Sequence, residues 1–410
     1  MNINTFKLGQ WSITACLVSI AVSPPLANLF FFIALLPVLV LGQARSNLVS
    51  FFKSQIGKVF LIFIAVLISG LIYGIEEKKM ILSELWGWRK ILCIPLAASF
   101  FMNQIEAQRK LLLTYLLSMG FFSAYSFLTY FYPDLAISKL YGPGIIARNH
   151  VTQGMMFAFG TLIGLYLALE KFKVDTKKSI LFFLVTIALC LNVIFIATGR
   201  SGYIALFISL LLLMYLMGWF GFKNKSWGKG TLVISILSLI MLISPAANER
   251  LKLIHTELQS GISKDESTSI GLRLTFWRNT IEMLPDQVIF GTGTGGFSKA
   301  YKTHLLQKYG NLTQDQTLTV DPHNQYLKLL IEHGIIGLIV FLLLLTKLIQ
   351  NGTKFQLAKL VGIPILTSVA VTSLFNSHFS TFNEGMLVYL FCGILLVSQN
   401  FGVSSQVKPC

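Results

Sequence analysis

The chain has 410 residues, of which 54% are hydrophobic and only 12% carry a charged side chain. Soluble domains carry about twice that charged fraction, so this composition excludes an ordinary soluble enzyme. The net charge of +16 would suggest a nucleic-acid partner in a soluble protein. In a membrane protein, a concentration of Lys and Arg in the cytoplasmic loops explains the positive net charge. We therefore expect no nucleic-acid partner. The five cysteines have neither metal-ligand spacing nor a disulfide pattern.

Apolar segments of nearly bilayer length recur from end to end and predict an all-α polytopic membrane protein that contacts membrane lipids. We expect about twelve transmembrane helices. Their predicted positions are 12–23, 27–41, 56–74, 89–102, 111–131, 151–169, 179–197, 202–220, 231–246, 325–348, 357–375 and 384–399.

The distribution of basic residues predicts the orientation. With the N-terminus in the cytoplasm, 17 Lys and Arg residues fall in cytoplasmic segments, against 7 in the short outer loops. This asymmetry favours cytoplasmic termini and places the longest polar segment outside. We therefore divide the chain into helices 1–9 (residues 1–246), a large periplasmic loop with short helices (247–322), helices 10–12 (323–400) and a cytoplasmic tail (401–410).

The large loop contains two local patterns. An amphipathic helix is expected at 272–284, before Pro285. A glycine-rich turn follows at 291–296. It could hold phosphate or serve as a structural turn, and the absence of a preceding strand favours the structural turn.

The junction between this loop and the tenth predicted helix carries the main catalytic candidate. Asp321 suits the N-cap and Pro322 the first helical position, so His323 is expected in the first turn. Partial positive charge there favours a neutral imidazole, which can accept a proton. Gly334 and Gly337 are expected to lie below His323 on one stripe, where another helix or a lipid chain could approach closely.

Arginines supply the candidate anion site. Arg200 lies in a short outer turn flanked by glycines. It could extend to the lipid headgroups or bind phosphate oxygens with its planar guanidinium. Arg273 and Arg278 are five residues apart and point to different faces of a helix, so at most one is expected to join Arg200. Arg278 could equally anchor the loop at the membrane surface.

Other polar residues at the outer ends of the predicted helices are secondary candidates. Arg89 and Lys90 begin the fourth predicted helix, and Arg148 precedes the sixth. Each could add positive charge at the edge of the anion site or anchor its helix at the membrane interface. In the last outer loop, His378 and Glu384 could orient His323, bind sugar or be solvated. We interpret three further histidines as non-catalytic: His255, His304 and His333.

Missing patterns narrow the function. No Asp-x-Asp or Glu-x-Asp pair lies at the outer end of a predicted helix, so we expect no metal and no other cofactor. No acidic residue lies in the middle of a predicted helix, which argues against a proton-coupled transporter.

The signature His323-Asn324, nine residues, Gly334, two residues, Gly337 resembles that of the bacterial O-antigen ligase family. This family belongs to a group with O-antigen polymerases and protein O-oligosaccharyltransferases. The resemblance covers the whole chain, including the predicted large periplasmic loop between helices nine and ten. It implies a fold similar to the GT-C-type membrane glycosyltransferases and a place in the inner membrane with the active site facing the periplasm.

The resemblance also implies roles for individual residues. His323 would be the catalytic base, Arg200 and Arg273 would bind a diphosphate, and Asn324 would be a further site candidate. The expected reaction moves O-antigen glycan from undecaprenyl diphosphate to a sugar hydroxyl of lipid A-core, without metal and with inversion. An aspartate that some members carry in the last outer loop is absent here, where Asn376 and His378 stand.

Two alternatives remain open at this point. A polymerase or a protein transferase of the same group would share these residues, although the short C-terminus favours the ligase. A transporter of lipid-linked sugar would instead place its polar groups along a path through the bilayer.

Overall fold

The structure is a computed structural model that describes residues 3–40, 42–137, 142–219, 228, 269–286, 288–310 and 318–398. Its longer elements are α1 (Ile3–Ser19), α2 (Pro24–Val40), α3 (Gly42–Lys53), α4 (Gln55–Tyr73), α5 (Lys78–Trp88), α6 (Cys93–Phe101), α7 (Ile105–Phe131), α8 (His150–Lys171), α9 (Thr176–Phe195), α10 (Arg200–Leu216), α11 (Ser269–Glu282), α12 (Phe297–Tyr309), α13 (Gln325–Gly352), α14 (Ile363–Thr372) and α15 (Phe382–Phe391). The short ones are 3₁₀ turns at Arg89–Leu92, Pro133–Leu135 and Leu284–Asp286 and π-helical turns at Ala358–Gly362 and Cys392–Leu396.

The described part of the chain is helical and contains no strand, so the predicted all-α membrane architecture is confirmed. Among the described residues, five helices are long and apolar enough to cross a membrane, namely α4, α7, α8, α9 and α13. A sixth span results if α2 and α3, which meet at 100°, are counted as one. The number of twelve is not confirmed, and the predicted helix at 231–246 lies outside the described residues.

The region around the fourth predicted helix differs most from expectation. A separate helix, α5, precedes the predicted helix. The first turn of the predicted helix, Arg89–Leu92, is 3₁₀ rather than α-helical. The rest, α6, has nine residues, all of them buried. At 1.5 Å per residue α6 is about 14 Å long, too short to cross the bilayer alone. Its residues are apolar because protein surrounds them.

The centre of the bundle is α8, most of whose membrane-length window is buried inside the protein. It crosses α10 at two glycines: a Cβ added to Gly202 would lie 2.9 Å from the Cα of Gly154. Small residues at such a crossing let two helix backbones approach closely. This contact fixes the start of α10, and therefore the turn that carries Arg200, against the central helix.

Helix α13 is interrupted near its N-terminal end. Gly334 has φ +63° and ψ −169°, outside helical geometry. A Cβ at Gly334 would overlap the carbonyl oxygen of Ile289, so the signature glycine makes room for the backbone of the large loop. The expectation of one continuous stripe from His323 to Gly337, open to a helix or a lipid chain, was wrong.

The glycine-rich turn 291–296 joins this interruption. The N–H groups of Thr292 and Gly293 donate to the carbonyls of Ile331 and Glu332, each at 2.8 Å. Gly291, Gly293 and Gly295 have positive φ, which glycine adopts without steric cost. Because two of its N–H groups are used inside the protein, this segment is a structural turn and not a phosphate cradle.

Candidate active site

The backbone before α13 places His323 differently from the sequence prediction. The N-cap is Asn324, whose side-chain oxygen accepts hydrogen bonds from the N–H groups of Tyr326 and Leu327. Asp321 is therefore not the cap, and His323 precedes the helix instead of lying in its first turn. The correction follows from the chain bending at His323, which has φ +53°.

This left-handed conformation costs a non-glycine residue about 1–2 kcal/mol, so its neighbours must hold it. The carboxylate of Asp321 accepts the N–H of His323 at 2.7 Å and the hydroxyl of Ser377 at 2.6 Å. The indole of Trp277 donates to the carbonyl of Pro322 at 3.0 Å. Asp321 thus braces the histidine backbone and ties it to the last outer loop.

Two side chains hold the imidazole of His323. The ring of Phe276 stacks on it with centroids 6.1 Å apart, and Asn376 Oδ1 lies 3.4 Å from Nδ1. The same oxygen accepts the N–H of Ser377 at 3.0 Å, which identifies it as the acceptor end of the amide. Nδ1 is then the donor nitrogen, and Nε2 is left able to accept a proton.

The arginine candidates separate as their spacing predicts. Arg273 lies one turn before Phe276 on α11 and is partly buried, whereas Arg278 is exposed. Burial lowers the pKa of Arg273, and the positive charge of Arg200 lowers it further. Arg273 is therefore close enough to Arg200 for their charges to interact, and it lies one helical turn from Phe276, which stacks on His323. Arg200 is the first residue of α10, whose N-terminal N–H groups add positive potential.

His378 is buried on the other side of this basic pair. Its Nε2 lies 3.1 Å from the hydroxyl of Ser201, the neighbour of Arg200. Burial lowers the pKa of His378; the carboxylates of Glu384 and Asp321 oppose this shift, and Arg273 adds to it. It is thus Asn376 that contacts the imidazole of His323, while His378 contacts the turn that carries Arg200.

The last outer loop is held firmly to the start of α13 and to α8. Gln325 and Ser380 exchange hydrogen bonds of 2.8 and 3.0 Å. Glu384 accepts hydroxyl hydrogen bonds from Thr152 at 2.5 Å and from Thr381 at 2.7 Å. These bonds explain how a short polar loop presents Asn376 and His378 in fixed positions.

The secondary candidates have mostly structural contacts. Arg89 donates to Asn28 at 2.8 Å and lies 5.8 Å from the ring of Phe382, at the end of the last outer loop. Lys90 is buried and donates to the carbonyl of Gly87 at 2.6 Å. Arg148 is exposed just before α8.

A buried charge cluster behind the site was not foreseen. Lys328 on α13 forms a 2.9 Å ion pair with Glu84 on α5. Glu332 and His333, next to the interruption of α13, are each 1% exposed. Sequence reasoning passed over Glu332 because it assumed a regular helix there, although its position near the signature glycine was a signal.

Comparison with known proteins identifies a family for part of this chain. The O-antigen ligase family profile matches residues 185–342, a range that contains Arg200, Arg273, His323 and both signature glycines. The chain carries an O-antigen ligase family domain. The expected family assignment is therefore confirmed. The match includes α10, the described part of the large loop and the outer portion of α13, the elements that supply the basic pair and the histidine.

One curated relative of this chain is an uncharacterised protein of Haemophilus influenzae. The two are 24% identical over 205 residues, which is 48% of this chain and 49% of the relative. The chain thus matches about half the length of the curated relative. The family match supports a membrane glycosyltransferase-like enzyme of the ligase and polymerase type.

Proposed function

We propose that this protein is an O-antigen ligase, which transfers O-antigen glycan from undecaprenyl diphosphate to a sugar hydroxyl of lipid A-core at the periplasmic face of the inner membrane. The observations that support this proposal are the stacking of His323 on Phe276, one turn from Arg273, and the interaction of the charges of Arg273 and Arg200. One base beside two cations suits a reaction in which a hydroxyl attacks and a diphosphate leaves.

His323 acts as the general base. The acceptor hydroxyl oxygen attacks the anomeric carbon of the donor sugar while Nε2 of His323 takes the hydroxyl proton. Asn376 supports this role because it keeps the other ring nitrogen protonated. A positioned base of this kind contributes about 10²–10⁴ in rate.

Arg200 and Arg273 stabilise the leaving group. As the new glycosidic bond forms, the bond from the anomeric carbon to the phosphate oxygen breaks, and its electron pair stays on undecaprenyl diphosphate. Burial and, after it, the positive charge of Arg200 lower the pKa of Arg273, and an anion bound by both guanidinium groups relieves their repulsion. Direct displacement by a single hydroxyl inverts the anomeric carbon and requires neither a covalent sugar–enzyme intermediate nor a metal.

A gel of lipopolysaccharide from a strain that lacks this gene tests the proposal. A ligase defect removes the long ladder and accumulates lipid-linked polymer. Species with a single repeat unit would instead assign the protein as a polymerase, and an unchanged ladder with loss of glycoproteins would assign it as a protein transferase. Complementation with the wild-type gene must restore the ladder.

The same strain tests the base. His323→Gln keeps a hydrogen-bonding side chain but accepts no proton at neutral pH, so it should lower ligation about 10²–10⁴-fold. His304→Gln is the matched control, because His304 lies on α12 and bonds Glu282 at 3.2 Å. Near-normal turnover of the purified His323→Gln protein would refute the assignment of His323 as the base.

A further inference from the structure

A polar cavity lies at the end of α13 that is farther from His323. Helix α13 begins beside His323 and runs for 28 residues, about 40 Å if straight. A cavity of about 400 Å³ opens at its far end, where it meets the α3–α4 junction and the segments that follow α6 and α15. This volume falls within the range of small-ligand sites.

The lining of this cavity is basic and amphipathic. It includes Lys347 on α13 and Lys354, two residues after the end of that helix, and among the described residues no carboxylate side chain lines it. Neutral polar groups of Ser54, Gln55, Gln350, Asn351 and Ser398 complete its polar part. Phe51, Ile56, Met102 and Val397 line its apolar part.

Both lysines are available to an anion. In the part of the chain that the structure describes, neither forms an ion pair with a carboxylate, and Lys347 makes only a 3.3 Å hydrogen bond to Gln350. A phosphate group between them would accept hydrogen bonds from two ammonium groups and from nearby amides. The apolar wall offers no comparable contact to a free inorganic anion, but it suits the glycerol and first methylene groups of a lipid.

We propose that the cavity lined by Lys347 and Lys354 binds the headgroup of an anionic phospholipid, on the opposite side of the membrane from the glycan-transfer site. The phosphate lies between the two lysines, and the buried side chains of Phe51 and Ile56 contact the glycerol and the first methylene groups. The inner leaflet of a bacterial membrane, where the basic loops are predicted to lie, is the environment for such a site. Filling the cavity braces the inner end of α13 against α4.

Native mass spectrometry of the full-length protein tests the proposal with three probes: dioleoyl phosphatidylglycerol, dioleoyl phosphatidylethanolamine and inorganic phosphate. We expect phosphatidylglycerol to bind in preference to phosphatidylethanolamine, whose ammonium group cancels the phosphate charge. The double variant Lys347→Gln with Lys354→Gln should bind the first phosphatidylglycerol about 30-fold more weakly, because each lysine contributes roughly fivefold to the affinity.

The control removes the same charge elsewhere at this end of the molecule. Lys173 precedes α9 and Lys177 lies in its first turn; both are exposed, and neither lines the cavity. Lys173→Gln with Lys177→Gln should leave the first binding event unchanged. An equal loss in both double variants would overturn the proposal in favour of non-specific attraction. Equal binding of phosphatidylethanolamine would also overturn it, as would complete displacement of phosphatidylglycerol by millimolar phosphate.

Discussion

His323 and Asn376 are 53 positions apart in the chain, yet Nδ1 of the imidazole lies 3.4 Å from Oδ1 of the amide. This contact decides which ring nitrogen is free to accept a proton. The amide of Asn376 is the hydrogen-bond acceptor for His323 in a loop where some members of the family carry an aspartate. A neutral oxygen acceptor is sufficient to hold a neutral imidazole in one tautomer.

The first prediction concerns this contact. Asn376→Leu keeps the side-chain shape but removes the acceptor, and should slow single-turnover transfer about tenfold, a loss of roughly 1.4 kcal/mol. Asn376→Asp should retain most activity, because a carboxylate also accepts from Nδ1. In a His323→Ala background, Asn376→Leu should have no further effect. A full additional tenfold loss there would mean that Asn376 acts independently of His323.

The second prediction concerns the basic pair. Arg200→Lys and Arg273→Lys keep the charge but lose the planar two-pronged contact, so each should lower transfer about 10²–10³-fold. Donor binding should weaken too, because the diphosphate is charged before it reacts. Arg278→Lys on the exposed side of α11 is the control and should behave like the wild type. Near-normal donor affinity in both Lys variants would remove the pair from the diphosphate site.

The third prediction concerns metal dependence. Within the described residues, no group of three or more His, Cys, Asp and Glu side chains is placed to hold a metal ion, and two arginines can neutralise the diphosphate instead. Transfer by the purified protein should therefore continue in EDTA. Activity that falls in EDTA and returns with Mg²⁺ or Mn²⁺ would show that a cation takes part.

The fourth prediction concerns acid stability. Burial lowers the pKa of His378 from its ordinary 6.5, so below pH 6.5 the unfolded chain binds a proton that the folded chain does not. Stability should therefore fall as the pH drops from 6.5 towards the lower folded pKa. His378→Gln should flatten this fall in thermal unfolding measurements, whereas His304→Gln should not. An identical acid profile for His378→Gln and the wild type would contradict the burial argument.

The fifth prediction concerns orientation. Lys302 is exposed on α12, and Lys177 is exposed at the start of α9. In a background without the native cysteines, Lys302→Cys should react with an impermeant thiol reagent from the periplasmic side, and Lys177→Cys should be protected until the membrane is opened. The reverse pattern would place the His323 site in the cytoplasm, where no lipopolysaccharide acceptor is presented.

Much of the architecture followed from local sequence patterns. Long apolar segments predicted α4, α7, α8, α9 and α13, because the bilayer imposes a length and a composition on a crossing helix. The amphipathic pattern before Pro285 likewise predicted α11. Hydropathy failed at α6 for a physical reason: a short helix enclosed by protein is as apolar as one in lipid.

The sequence by itself determined the candidates for the chemistry: one histidine in a short signature, one arginine in a turn flanked by glycines, a second arginine in the large loop, and no acidic pair for a metal. Only the tertiary structure decided how they are used. Asn324, and not Asp321, is the N-cap of α13 because the chain turns at His323. Gly334 packs against the backbone of the large loop and not against a neighbouring helix. The packing of the last outer loop places Asn376 against His323. The two residues are 53 positions apart, and no local sequence pattern encodes such a contact.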